Sequence, residues 1–574
     1  MTLFSRLRNR LLIALSLAAL AIAVRLPFLV SGKMPFDSDE AVEGLMARHL
    51  LDGEFSAFLW GQAFKGVPEV YAAAAAFALF GSSVVTLKSA TLAFFAAYVA
   101  VNFALLDKIA RRWVAVAASL LLIFAPPALV LWSLAASAEY IVIMLLGTIL
   151  LLLCLRGEEA GRAQGKGQRA EIQSLGAVGL VVGLGLWVHQ IFVVYLLPVA
   201  LILALQSEWW RRRDFGKPGK AAKALAAVAT FYLALGVFAF ITGGFSLQFG
   251  SIVVSATASQ KMVRIAAGIA GLALTVHVLS SMTRQRARAL TISYWPLALG
   301  LLIGYLPVLL YSVLVEPARS PARVANLQQL LRAAPDILGN IVPILAGFKL
   351  ATTERLALPL IAVLPGIGAL MAYLWVNRRR FGRLITLRAY DASVAWDFFP
   401  LFAIFVPVLF LLGGVYIDTQ SYRYLIPWYA GLSVAWAAGS LALAGERKAV
   451  AAAIVGAILT IHAWQQVIWY QKLTPDTTSL AILDCLKRNG IRGGYAEYWT
   501  AYKLTFIAQE EIIVAPTDGI DRYPRYTEYV RSLPPHQQVR LKADTTGGAD
   551  PTGGADPTGG ADTTDCLELQ SQPP

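Results

Sequence analysis

Charged residues are scarce in this chain. They make up 15% of its 574 residues, against 57% hydrophobic, and the mean hydropathy is +0.61. Soluble domains carry about 25% charged residues, so a water-soluble globular protein is excluded. Acidic charge is scarcer than basic: 35 Asp and Glu stand against 49 Lys and Arg, a net charge of +14. In a soluble protein that excess would suggest nucleic acid. Here the basic residues sit in short loops between apolar runs, which is the orientation signal of membrane proteins, and no nucleic-acid partner is expected. Cysteine and histidine are also few, three and five. Cys154, Cys485 and Cys566 have no metal-ligand spacing and make no disulfide framework. No Ser/His/Asp order, phosphate-binding glycine loop or convincing metal-ligand cluster is present, so no cofactor is expected. A divalent cation would require the fold to bring Asp37, Asp39 and Glu139 together.

Long apolar runs dominate what is there. About 20 apolar residues cross a bilayer core, and on that length the sequence reads as an all-α polytopic membrane protein with about thirteen transmembrane helices. The first run, roughly 11–31, follows Arg6, Arg8 and Arg10, and Arg25-Leu26-Pro27-Phe28 stands where a small-residue cleavage site would be needed. An uncleaved first helix with a cytoplasmic N-terminus is therefore expected. A polar loop over 32–70 and a short apolar run over 70–81, of interfacial or re-entrant length, come next. Further runs include one span at 113–132 and a split pair at 174–188 and 191–206. Basic clusters at Lys108 to Arg112, Arg211 to Lys223 and Arg378 to Arg388 fall on one side under this count. That side is then cytoplasmic, and residues 470–574 are outside.

Three units follow from this pattern: a transmembrane unit over 1–470, a small exported α/β domain over 471–540, and a low-complexity tail over 541–574. The tail repeats Ala-Asp-Thr-Thr-Gly-Gly and Ala-Asp-Pro-Thr-Gly-Gly. Without large apolar residues the repeat cannot offset its ordering entropy, and disorder is expected.

The most informative polar stretch is Pro35-Phe36-Asp37-Ser38-Asp39-Glu40-Ala41, just after the first span. Carboxylates this close raise one another's pKa, and partial burial raises it further. A carboxylate so tuned suits a general base. The plainer reading is a helix cap, with Ser38 or Asp39 opening a helix that runs to about Leu51 and Glu43 in its first turn; both can hold. Glu69, Glu139 and His189 are candidates for a donor or acceptor pocket. Glu139 opens a span, and His189 lies in a Trp-Val-His-Gln turn where an interfacial ring is the simpler reading. Arg423, beside Tyr422 in a short outer loop, is the candidate for phosphate because its planar fork of donors stays charged. A snorkelling pair with Asp418 is its simpler alternative. Lys65, Lys261, Arg264, Arg319 and Arg323 are further outer basic residues. The aromatic run Tyr495, Tyr498, Trp499 and Tyr502 suits either a sugar platform or a small core.

Several of these segments together resemble the bacterial GT-C glycosyltransferases, which include the protein O-mannosyltransferases and the lipid A aminoarabinose transferases. They are Arg25-Leu26-Pro27, the Asp39-Glu40 pair, Leu50-Leu51-Asp52-Gly53-Glu54-Phe55 and Phe77-Ala78-Leu79-Phe80-Gly81. The resemblance implies transfer of a sugar from a polyprenyl-phosphate carrier to a glycan, lipid or protein acceptor at the outer face of the cytoplasmic membrane. Its partners would be membrane lipid and that lipid-linked donor. It gives the catalytic role to Asp39, with Asp37 and Glu40 beside it, and the leaving phosphate to Arg423, with Tyr422 next to it. Residues 61–71 depart from the proline-rich segment of close relatives. Two other classes remain: a transporter or lipid-sugar flippase, for which symmetric halves are expected but no internal repeat is found, and a non-enzymatic membrane scaffold.

Overall fold

The computed structural model describes residues 3–137, 139–162, 168–207, 219–244, 246–249, 252–255, 259–281, 284–314, 326–349, 362, 364–413 and 415–541. The tail repeat, for which disorder is expected, lies outside these residues, as do Arg211, Arg319, Arg323 and Cys566. The protein is a helical, multi-pass membrane protein. Eight helices among the described residues are long and apolar enough to cross a membrane.

Among the described residues the expected runs at 113–132, 174–188 and 191–206 fold into shorter helices, and the run at 355–376 lies partly outside those residues. Helix α1 (Leu3–Val30) leads into α2 (Ser38–Leu51), a two-stranded antiparallel ribbon of β1 (Phe58–Leu59) and β2 (Gln62–Gly66), the short α3 (Pro68–Phe80) and the long α4 (Val84–Ile109). The run at 113–132 breaks into α5 (Arg112–Ile123) and α6 (Pro127–Trp132). Pro126-Pro127 causes the break: proline lacks the N–H that would continue α5, yet its fixed φ suits the first turn of α6. Fully buried Arg25 of α1 pins this break. Its Nε donates to Ser133 Oγ at 3.0 Å, its Nη2 to the Leu122 carbonyl at 3.2 Å and its Nη1 to the Ile123 carbonyl, while its guanidinium lies 4.2 Å over Phe95. The carbonyls orphaned at the end of α5 are thus satisfied inside the bundle.

Helices α7 (Tyr140–Arg162), α8 (Gln168–Val188) and α9 (Val193–Gln206) follow, with the α8–α9 break at His189. Helix α8 crosses the helix Arg284–Leu314 backbone to backbone. A Cβ on Gly179 would collide with the Leu297 carbonyl, and one on Gly300 with the Gly176 carbonyl. Small residues allow such contact in membranes, where dispersion replaces the hydrophobic drive. The helices Lys220–Thr242 and Ser259–Ser281 pack on each other and carry the β3 (Ser246–Phe249) and β4 (Ile252–Ser255) ribbon between them. The last spans are Val394–Leu412, Thr419–Leu443 and the helix starting at Lys448.

After Lys472 the chain forms a helix (Thr477–Arg488) and a parallel sheet of β5 (Gly493–Ala496), β6 (Ile513–Pro516) and β7 (Gln538–Arg540), in the order β6-β5-β7. The helix Tyr498–Ile507 connects β5 to β6, and Pro524–Ser532 leads toward β7. Leu483, Leu486, Ala501, Leu504 and Val514 make this domain's own core. A second core joins it to the membrane unit: Tyr498, Tyr502, Phe506, Tyr523 and Tyr526 pack with residues of α2 and α3. Cys485 is disulfide-bonded, which the cysteine spacing did not lead us to expect.

Candidate active site

The site grows from the first turn of α2. Asp37, not Ser38 or Asp39, is the N-cap, and its carboxylate accepts the Glu40 N–H at 2.9 Å. Capping satisfies one of the four N–H groups that a helix start leaves unpaired. Asp37 and Asp39 are half-buried, whereas Glu40 and Glu43 are buried behind them. Desolvation, then repulsion by Glu40 and Asp39, pushes the Asp37 carboxyl up to about 7. Asp39 accepts a hydrogen bond from the Tyr498 hydroxyl of the C-terminal domain.

Glu40 does not stand open as a base. Lys88 of α4 reaches both its carboxylate oxygens at 2.6 Å and also donates to the Pro35 carbonyl at 2.8 Å, and the Ala136 N–H donates to Glu40 at 3.0 Å. A charge buried this deeply must be paired, since the unpaired form would be heavily penalised. Glu40 therefore ties α2, α4 and the loop after α6 together. The capping-box reading of Glu43 also gives way. It lies 3.0 Å from Lys65, which is 3.4 Å from Glu139 and donates to the Ser137 carbonyl.

Behind the half-buried pair, therefore, sits a buried group of Glu43, Glu69 and Glu139 around Lys65. Burial holds all three carboxyls above the usual glutamate range, with Lys65 pulling the other way. Burial disfavours the Lys65 ammonium, but Glu139, Glu43 and Asp39 together keep its pKa above the ordinary lysine value. Lys65 is thus committed inside the site and does not serve as an outer phosphate ligand. Glu139 has a φ of +49°, a left-handed conformation that non-glycine residues seldom adopt and that is held here by the surrounding packing.

His189 faces Lys65 through a backbone bridge, and its Nδ1 accepts the Ile191 N–H at 3.0 Å. Burial and then Lys65 lower its pKa to about 4, so the ring is neutral and caps a turn. Arg423 lies on the short helix Thr419–Trp428, its guanidinium 5.4 Å from the Tyr424 ring and within electrostatic reach of Tyr140 and Asp39. Asp418 does not draw Arg423 into the expected pair; it stands at the N-cap of that helix in a capping box with Ser421. Tyr422 is fully buried, and its hydroxyl accepts the Trp132 indole N–H at 3.2 Å. It braces the arginine's helix from inside the bundle.

Asp39 thus lies within electrostatic reach of Asp37, Lys65 and Arg423, and Lys65 in turn pairs with Glu139. Among the described residues no three His, Cys, Asp or Glu side chains have the geometry to hold a metal ion. Sequence reasoning missed Lys88 and the role of Tyr498. A lone lysine in the first turn of an otherwise apolar span was the available signal for Lys88.

No family model and no curated protein match this sequence. Similar chain paths occur among solved membrane proteins. An oligosaccharyltransferase of Archaeoglobus fulgidus, crystallised with zinc and sulfate, is 11% identical with a TM-score of 0.45, covering 88% of this chain and 62% of that one. The archaeal oligosaccharyltransferase AglB from Archaeoglobus fulgidus, in complex with an inhibitory peptide and a dolichol-phosphate, is 12% identical with a TM-score of 0.44, covering 90% and 65%. ArnT from Cupriavidus metallidurans bound to undecaprenyl phosphate is 13% identical with a TM-score of 0.33, covering 91% and 88%. The present chain spans less than two thirds of the archaeal chains.

Proposed function

We propose that this protein is a membrane glycosyltransferase that moves a sugar from a polyprenyl-phosphate donor to an acceptor at the outer face of the cytoplasmic membrane. The observation that carries the reading is the half-open Asp37 and Asp39 pair, fixed at a helix start, with Arg423 in electrostatic reach of Asp39. The Asp-Glu motif of the first outer loop supports it. In this reading Asp39 takes the proton of the acceptor's hydroxyl or amine. The freed electron pair forms the new bond to the anomeric carbon while the bond from that carbon to the phosphate oxygen breaks. The lipid phosphate leaves with the bonding pair, and Arg423 stabilises the charge that develops there, which is usually the larger catalytic contribution. One observation favours Asp37 as the base instead: its carboxyl is pushed up to about 7, near the value that suits proton abstraction at neutral pH.

The decisive experiment incubates purified protein in liposomes with radiolabelled polyprenyl-phosphate sugars and extracted envelope lipids, glycans or proteins as acceptors. Transfer of label that Asp39→Asn slows by about 10²–10⁴ is the expected result. Label that crosses the bilayer without changing carrier would identify a flippase, and no transfer from any donor would overturn the reading.

A further inference from the structure

The helix Tyr498–Ile507 is the only part of the C-terminal domain described here that touches the acidic turn of α2 with a side-chain donor, and the contact is built from several directions. The Tyr498 hydroxyl donates to Asp39 Oδ1 across 459 residues of sequence. The ring is almost wholly buried, Arg522 Nε lies 3.4 Å from the same hydroxyl, and the Arg522 guanidinium stands 5.3 Å from the ring centre. At the helix start the Tyr498 N–H donates to Asp518 at 3.1 Å. One turn on, the Lys503 N–H donates to Ser38 Oγ at 3.2 Å. Farther along, Phe506 lies so close to α2 that a Cβ on Gly44 would collide with its ring. The phenol is therefore held at a fixed height above Asp39, and Asp39 Oδ2 carries none of the described hydrogen bonds.

We infer that Tyr498 is the positioning residue for Asp39, so that the C-terminal domain completes the reacting site. A phenol O–H on Oδ1 stops the carboxylate from rotating and leaves Oδ2 to take the acceptor's proton. Burial and then Asp39 raise the Tyr498 pKa, so the phenol keeps its proton and remains a donor at neutral pH. This assignment rests on the reading of Asp39 as the reacting carboxylate.

Tyr498→Phe tests it in the full-length purified protein, because it keeps the ring and removes only the O–H. The first measurement needs no substrate: carboxyl labelling by a water-soluble carbodiimide with glycine ethyl ester, read residue by residue by mass spectrometry. Labelling of Asp39 should rise severalfold in Tyr498→Phe while Asp37 is unchanged. Equal labelling of Asp39 in the two proteins overturns the inference. The second measurement is turnover of a radiolabelled polyprenyl-phosphate sugar. A misplaced reacting group loses about tenfold to a hundredfold in rate, so kcat should fall by that much with KM for the donor unchanged. In an Asp39→Asn background the second substitution should cost nothing more; an equal further loss there marks a purely structural tyrosine and overturns the inference. If Asp39 labelling rises while the unaltered protein transfers no sugar, the hold on Asp39 stands and the glycosyltransferase reading fails.

Discussion

At the scale of single residues, the two aspartates divide their work in a way their spacing does not announce. Asp37 is the helix cap and Asp39 receives the tyrosine. Asn caps as well as Asp, so Asp37→Asn should fold normally. Losing a general base costs about 10²–10⁴ in rate. We expect that loss for Asp39→Asn and much of the turnover retained by Asp37→Asn, measured in the liposome assay; the reverse ranking would move the base to Asp37. Arg423→Lys keeps the charge but loses the planar fork. It should insert normally yet turn over slowly, and full activity would reduce Arg423 to an anchor. Lys88→Met leaves Glu40 buried without its partner. Breaking such a pair costs about 3–5 kcal/mol, so a marked drop in melting temperature is expected, whatever the assay for transfer shows.

At the scale of elements, the end of α2 meets the C-terminal domain at a histidine between two glutamates. His49 Nδ1 lies 2.8 Å from Glu54, and its Nε2 lies 2.9 Å from Glu510 and 3.1 Å from the Tyr526 hydroxyl. Arg48 donates to the Phe506 carbonyl at 2.8 Å, and Trp60 stacks on Tyr523 at 4.0 Å. Burial opposes protonation of His49, but the bonds to Glu510 and Glu54 outweigh it and its pKa is raised. Burial raises the two glutamates, but their bonds to His49 and the neighbouring tyrosines lower them overall. The histidine's contribution is present below its ordinary value and lost as pH rises through the raised one; that of the glutamates is present above their ordinary value and lost as pH falls through the lowered one. Docking should be tightest between these limits. Spin labels at Gly53 and Glu528 should separate as pH rises past the raised histidine value, and His49→Ala should remove that alkaline limb.

At the scale of the whole molecule, the domain after Lys472 docks on α2, which directly follows the first span. The two therefore share one side of the membrane. With a cytoplasmic N-terminus that side is the outer one, and a reporter fused after Pro535 should behave as exported. A cytoplasmic signal there would turn the whole topology over and place the acidic turn inside.

The helical membrane class, the short α3 and the split at His189 were legible in the sequence, because apolar length and interruptions are local properties of the chain. So was the acidic turn that opens α2. The single span expected over 113–132 misled because its composition is continuous while Pro126-Pro127 breaks the hydrogen-bond ladder. Burial and pairing were not legible. Glu40 becomes a structural ion because α4 carries Lys88 to it, Lys65 turns inward because Glu43 and Glu139 await it, and Tyr498 reaches Asp39 only when a distant domain docks. Each is a contact between segments far apart in the chain, and only tertiary packing selects which charged groups lose their water and which partners repay that loss.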